Sequence, residues 1–400
     1  MSKTSNKMDH SIPPDAESAL SSAVSRRALL AGASGIGAAS LLGVNLASSE
    51  AASAAGGSVR WANWGYYIDF DEKTNKYPTL EAFTKKTGIK VTYQEAIDDN
   101  DTFTAKVTPQ LRLKKDIGYD LVTPTEWMAA RWIASGFTKK FSANGVPNKK
   151  NVIDLLANRP LDPKREQSLP YAGIIAGIAW NKKKVPGGFK TMDQVFDKKY
   201  KGKRSILVLS EMRDTIGLIM MWQGVDVASN FTEAQFMNAV NKFEQLVKDG
   251  YIGQIKGQSY AQDLQAGNVS HVIGWSGDIA QLNLQVGSDQ FGFAVPESGG
   301  TFSSDNLLIP STAKNAANAE KLINYYYEPA VAAKLSAYTT YVCPVKGAQE
   351  EMAKFDAKQA KNELIFPTAA TYKKLHVFRG LNASEQLKFS TAFQKVAGNG

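Results

Sequence analysis

Cysteine and histidine are almost missing from these 400 residues. A single cysteine, Cys343, rules out an intramolecular disulfide and any four-cysteine metal site. The three histidines, His10, His271 and His376, lie far apart and leave little material for a zinc centre. No metal and no cofactor are therefore expected. The phosphate loop G-x-x-x-x-G-K-[ST], the helix motif H-E-x-x-H and the elbow G-x-S-x-G are also absent. The glycines at 32–37 follow no strand, so they are no dinucleotide fingerprint. Basic residues are scattered and form no recognisable nucleic-acid module. There is no internal repeat, no low-complexity linker and no long, strongly apolar run.

The composition is that of a folded protein, 43% hydrophobic and 21% charged, with a formal net charge of +9. Four hundred residues exceed what one core usually serves, so two lobes are expected. The first 54 residues stand apart. They hold Ser25-Arg26-Arg27-Ala28-Leu29-Leu30, then a Gly/Ala/Leu-rich stretch to about Ala47, with small residues at Ala52-Ser53-Ala54. Paired arginines before a mildly apolar run, followed by a small-residue cleavage site, read as a twin-arginine export signal. The run is too rich in glycine to make a good permanent anchor. An exported protein, periplasmic or held at the cell envelope, is expected.

From Ser58 onward short apolar runs alternate with amphipathic ones. Strands are expected at 59–64, 90–95, 119–123, 173–180, 205–209, 269–275, 291–295 and 306–309. Helices are expected at 102–113, 212–223, 233–248 and 316–327. This alternation predicts an α/β fold with mostly parallel sheets flanked by helices. Quiet breaks near 172–179 and 297–305 divide the chain into lobe one, 58–175 with 305–345, and lobe two, 178–302 with 349–400. The lobes would be joined by more than one crossing.

In open α/β sheets, ligands sit beyond the carboxyl ends of strands. Four such ends carry aromatic and acidic residues: Trp64 and Tyr67; Thr125 and Trp127; Glu211 and Asp214; Trp275. An aromatic face attracts cations and packs a methylene chain, and paired carboxylates hold an ammonium. The pattern describes a slot for an elongated organic cation. Simpler roles compete with it. Acids in a first helical turn often only complement the helix dipole, and strand-end aromatics often cap a core. Arg213 lies between the two acids and can neutralise either. The run Asp98-Asp99-Asn100-Asp101 is read as a helix N-cap at Asp101 rather than a calcium loop, since the glycine and distant glutamate of such a loop are missing. Tyr325–Tyr327 and Cys343 are expected to pack in the core.

Over about Val59 to Val396 the chain resembles the solute-binding proteins of bacterial polyamine ABC transporters, the spermidine/putrescine-binding type. The resemblance rests on the order of several short marks. They include Asn63-Trp64, Gly118-Tyr119-Asp120-Leu121-Val122-Thr123-Pro124, Ser168-Leu169-Pro170-Tyr171, Ile273-Gly274-Trp275, Pro296-Glu297-Ser298-Gly299-Gly300 and Asp305-Asn306-Leu307-Leu308-Ile309-Pro310. It implies a two-lobed fold of the periplasmic-binding-protein type (type II) that closes on its solute by a hinge. It also implies a membrane permease as partner and a monomeric chain. By position it assigns ligand carboxylates to Glu211, Asp214 and Asp305, aromatic walls to Trp64, Tyr67, Trp127, Trp275 and Tyr341, and an amine-contacting hydroxyl to Thr125.

The chain departs from the pattern at four places. Gly65 stands for a threonine, Ser303 for a tryptophan, Val377-Phe378 for a late glutamine, and Glu211 and Asp214 have exchanged lengths. A cationic amine, putrescine- or spermidine-like, is the expected ligand. The open alternatives are the same fold holding an amino acid derivative, a ferric ion or an oligosaccharide, and an exported hydrolase using Glu211 and Asp214. The last fits poorly, since glycosidase carboxylates flank the scissile bond from separate positions.

Overall fold

The computed structural model describes residues 57–398, apart from Tyr66, Asp98, residues 202–205 and Gln258. The expected export signal and its cleavage site lie outside the described residues.

Among the described residues ten strands form one connected sheet: β1 (Ser58–Trp64), β2 (Lys90–Ile97), β3 (Leu121–Val122), β4 (Ser168–Asn181), β5 (Ile206–Leu209), β6 (Ile252–Lys256), β7 (His271–Trp275), β8 (Phe291–Ala294), β9 (Gly300–Leu308) and β10 (Leu375–His376). The main order is β2-β1-β3-β9-β4-β7-β5-β6, with β8 on β4 and β10 on β9. At each end the strands pair parallel: β1 with β2 and β3, and β5 with β6 and β7. The middle is antiparallel. There β4 and β9 run side by side from Ser168 opposite Leu308 to Ala176 opposite Thr301. The sheet is therefore mixed, parallel toward its two ends and antiparallel in the middle, where β4 pairs with β7, β8 and β9 and β3 pairs with β9.

Within this pairing β4 passes from one core to another. Ile175 and Phe302, which face each other in register, belong to a first core with Trp61, Leu121, Ile323 and Tyr327. Ala176, one residue on, belongs to a second core with Val208, Ile216, Phe243 and Val272. The expected segment 349–400 is itself divided: Met352, Ala360 and Ile365 pack in the first core, and Phe389, Phe393 and Val396 in the second.

Local chemistry explains the main helices. Glu233–Lys248 starts at a capping box between Thr232 and Gln235, which satisfies backbone N–H groups at the helix start. Its Phe236, Ala239, Val240, Phe243 and Leu246 recur every three or four residues and are buried along one stripe. The final helix, Ala383–Ala397, opens on a second such box, Asn382 with Glu385. Its phenylalanines stack on that stripe, Phe389 on Phe236 at 3.9 Å and Phe393 on Phe243 at 5.6 Å between ring centres.

The helix after β2 runs Asn100–Arg112 and is capped by Asp99, whose carboxylate accepts from the Thr102 N–H at 2.7 Å. This corrects the expected cap at Asp101. The helix begins two residues earlier, so Asp101 falls in its first turn and pairs with Arg131 at 2.7 Å. Cys343 is buried, and burial pushes its thiol up to about 11. Tyr326 and Tyr327 are buried and donate to the carbonyls of Tyr171 and Pro170, a packing role.

Candidate functional site

A cleft of about 1100 Å³ lies where the two cores approach each other. All nine residues singled out in the sequence line it: Trp64, Tyr67, Thr125, Trp127, Glu211, Asp214, Trp275, Asp305 and Tyr341. They arrive from six separate parts of the chain. Trp64 ends β1, Trp275 ends β7, and Asp305 lies within β9. Glu211 and Asp214 sit at the start of helix Met212–Trp222, just after β5. Thr125 and Trp127 sit at the start of helix Glu126–Ala134, just after β3.

Asp305 is 2% exposed and has only neutral hydrogen-bond partners. The Thr125 hydroxyl donates to its Oδ1 at 2.7 Å, and the Tyr67 hydroxyl makes a second bond. Thr125 is held in turn by Asn100, whose side-chain amide donates to the Thr125 hydroxyl at 3.0 Å and accepts the Thr125 N–H at 3.1 Å. Burial pushes Asp305 up to about 7, against the pull of the two hydroxyls. Asp120, 0% exposed in the same lobe, makes the contrast. Burial raises it too, but bonds from Arg60 and from Asn315 together outweigh that and hold it at about 2. Asp120 is a carboxylate with its cation supplied by the protein; among the described residues Asp305 has none.

Across the cleft, Asp214 is also buried. The Trp275 indole N–H donates to its Oδ2 at 2.8 Å, and the Thr301 hydroxyl to its Oδ1 at 2.6 Å. Burial raises its pKa against those bonds. Neither partner is a helix N–H, so Asp214 does not act as a cap of its helix. Glu211 does, accepting from the Arg213 N–H at 3.3 Å. Glu211 is the most open of the three acids, 27% exposed, and burial together with the neighbouring Asp214 charge pushes it up to about 7 against the pull of Arg213. Its carboxylate lies 3.9 Å from the Arg213 guanidinium.

Aromatic rings close the sides. Trp64 is fixed by its indole N–H, which donates to the Thr123 carbonyl at 2.7 Å. Tyr67 and Tyr341 meet edge to face with ring centres 5.1 Å apart. Tyr341 reaches across to the other lobe and donates to Asp278 at 2.9 Å. That approach needs Gly277, where a Cβ would lie 2.5 Å from the Tyr341 ring. Val377, Phe378 and Ser303 also line the cleft.

Three residues at the site were not singled out in the sequence. Asn100 was read only as part of an acidic run. Thr301 follows a turn-rich Gly-Gly pair and carried no local signal. Gln386, which accepts from Arg213 at 2.5 Å, comes from the last helix, 173 residues away. Only Asn100 carries a usable mark in the sequence, a non-acidic polar residue inside an acidic run just before an amphipathic stretch. Among the described residues, no group of three or more histidine, cysteine, aspartate or glutamate side chains is placed to hold a metal ion.

Carboxylates and aromatic rings enclosed between two lobes can hold a solute; the comparisons with known proteins bear on which kind. A family model described as bacterial extracellular solute-binding protein matches residues 79–366. The chain belongs to that family. Its members are solute-binding proteins, so the alternative of an exported hydrolase is not favoured. The spermidine/putrescine-binding periplasmic protein of Escherichia coli is 29% identical over 296 residues, covering 74% of this chain and 80% of that protein. The putrescine-binding periplasmic protein SpuD of Pseudomonas aeruginosa is 27% identical over 350 residues, 84% of this chain and 90% of that one.

Solved structures share the two-lobed fold. The spermidine/putrescine ABC transporter substrate-binding protein PotD of Streptococcus pneumoniae has a TM-score of 0.71 at 24% identity, covering 85% of this chain and 98% of its own. A putative spermidine/putrescine ABC transporter protein of Listeria monocytogenes has a TM-score of 0.72 at 24% identity, with the same coverage.

Proposed function

We propose that this chain is the extracytoplasmic solute-binding component of an ABC importer and that its solute is a di- or polyamine. The observation that carries the reading is Asp305, a buried carboxylate with no protein cation, facing a second buried carboxylate, Asp214, across an aromatic-walled cleft. The putrescine- and spermidine-binding relatives support it.

In this reading the methylenes of the amine lie along Trp64, Tyr67, Trp127, Trp275 and Tyr341. Its ammonium groups meet Glu211, Asp214 and Asp305, with Thr125 orienting Asp305. Closure about β4 and β9 excludes water and strengthens each ion pair. An ammonium left unpaired in the closed cleft is strongly disfavoured, so charge spacing sets ligand length. The closed form then docks on a membrane permease, and ligand shifts the open–closed balance by its differential affinity.

The lobes in this proposal follow the cores. Lobe one takes 58–175 with 302–366, and lobe two takes 176–300 with 377–398. Export by the twin-arginine route to the periplasm or cell envelope, and action as a monomer, belong to the same reading.

The test is a thermal-shift screen with putrescine, cadaverine, spermidine, spermine, amino acids and sugars, since a ligand that binds only the native state raises its stability. A shift with amines alone is expected. A shift from another class and none from amines overturns the amine and leaves the two-lobed binder.

A further inference from the structure

The cleft carries one strong charge that an amine-binding site does not obviously need. Arg213 lines it between Glu211 and Asp214 in sequence, with its guanidinium carbon 4.6 Å from the Trp127 ring centre and 5.9 Å from that of Phe378. Its Nη2 donates to Gln386 at 2.5 Å, and its Nη1 lies 3.9 Å from the Glu211 carboxylate. Arg213 is the second residue of its helix, where a positive charge opposes the helix dipole. Helix stability therefore does not explain it.

The other guanidinium groups of the lining are cancelled locally. Arg159 pairs with Glu126 at 2.8 Å, Arg131 with Asp101 at 2.7 Å, and Arg379 with Glu385 at 2.6 Å. Asp99 is exposed at the rim and caps a helix. Among the described residues, the interior of the cleft is left with three carboxylates and one guanidinium, a balance of two negative charges.

Resting on the amine reading above, we propose that this cleft selects a diammonium over amines carrying three or more positive charges, and that Arg213 sets the limit. A diammonium balances the enclosed charge. A third ammonium finds no carboxylate of its own and meets the guanidinium instead, and burying an unpaired charge is disfavoured far more than exposing it. Arg213 acts as a resident cation at the Glu211 end, so a ligand ammonium is drawn toward Asp214 and Asp305.

The experiment is calorimetric titration of the purified protein with putrescine, cadaverine, spermidine and spermine near physiological salt. The wild-type protein is expected to bind one of the diamines at least about tenfold more tightly than spermidine or spermine. Arg213→Gln removes the charge and is expected to move the spermidine-to-diamine ratio about tenfold toward spermidine. Arg213→Lys keeps a charge and is expected to retain the diamine preference, which guards against a variant that merely folds poorly. Wild-type protein binding spermidine as tightly as the diamines overturns the proposal, and so does an Arg213→Gln variant that weakens all amines alike. Binding of a zwitterionic amino acid that is lost in Arg213→Gln also overturns it, since Arg213 then holds a ligand carboxylate. Absence of binding by every amine overturns the amine reading itself, a result distinct from amine binding without ranking.

Discussion

The two ends of the cleft hold their acids in opposite ways. At the Asp305 end a single carboxylate is shut away from water and bonded only to hydroxyls. At the Glu211 end two carboxylates share a helix start with a guanidinium, and the outer one is 27% exposed. The first end has an unmet need for a cation. The second has part of its charge met by the protein and part screened by water. Asp120 shows what the first end lacks: bonded by the Arg60 guanidinium and by Asn315, a solvent-excluded aspartate lies at about 2 rather than about 7. Burial alone thus does not mark a binding carboxylate.

That difference predicts unequal mutations. Asp305→Asn removes the one charge at its end, and amine affinity is expected to fall about 100-fold, or about 2.7 kcal/mol. Glu211→Gln removes a charge that Arg213 and water already attenuate, and a loss of about tenfold is expected, or about 1.4 kcal/mol. Titration of both variants with the same diamine checks the order. Equal losses would erase the distinction between the ends, and a larger loss for Glu211→Gln would reverse it.

The site was more legible in the sequence than the fold's centre. Trp64, Trp127, Glu211 and Trp275 lie at or just after the ends of short strands, and the rule that ligands sit beyond such ends picks them out without long-range information. The antiparallel passage was harder. A central strand such as β4, buried on both faces, reads as a continuous apolar run whose direction has no local mark, and its first five residues were not read as strand. The first half of β9, Gly300-Thr301-Phe302-Ser303-Ser304-Asp305, looks like a turn, and only pairing with β4 makes it a strand. The Asp99 cap was missed by two residues because any of three neighbouring acids could have served. Met352, Ala360 and Ile365 follow the last recognisable crossing, so their return to the first core depends on tertiary packing alone.

A smaller effect separates the ring of Trp275 from its N–H. Trp275 packs against both cores, so an alanine there removes structure along with any contact to ligand. Trp275→Phe keeps most of the ring and removes only the bond to Asp214. Amine affinity is expected to fall about fivefold, about 1 kcal/mol, the net worth of one ordinary hydrogen bond. An unchanged titration would mean that Thr301 alone positions Asp214.

The smallest effect concerns the protein without ligand, and its sign follows from the raised acids. Asp305 and Glu211 lie at about 7 in the folded chain, above the unfolded values of about 3.9 and 4.3. Between those limits the folded state binds more protons than the unfolded one, so these groups make stability fall as pH rises from about 4 to about 7, and the loss levels off above. Asp305→Asn removes its share and is expected to flatten the slope, leaving the variant more stable than wild type near pH 8 by about 2 °C in thermal unfolding. A bound diammonium favours the ionised acids, so affinity is expected to weaken on acidification below about 7, and ligand should raise the wild-type Tm most at the alkaline end. Asp305→Asn with an unaltered Tm slope would place the raised acid elsewhere in the cleft, at Glu211 or Asp214, and would turn the comparison of the two ends around.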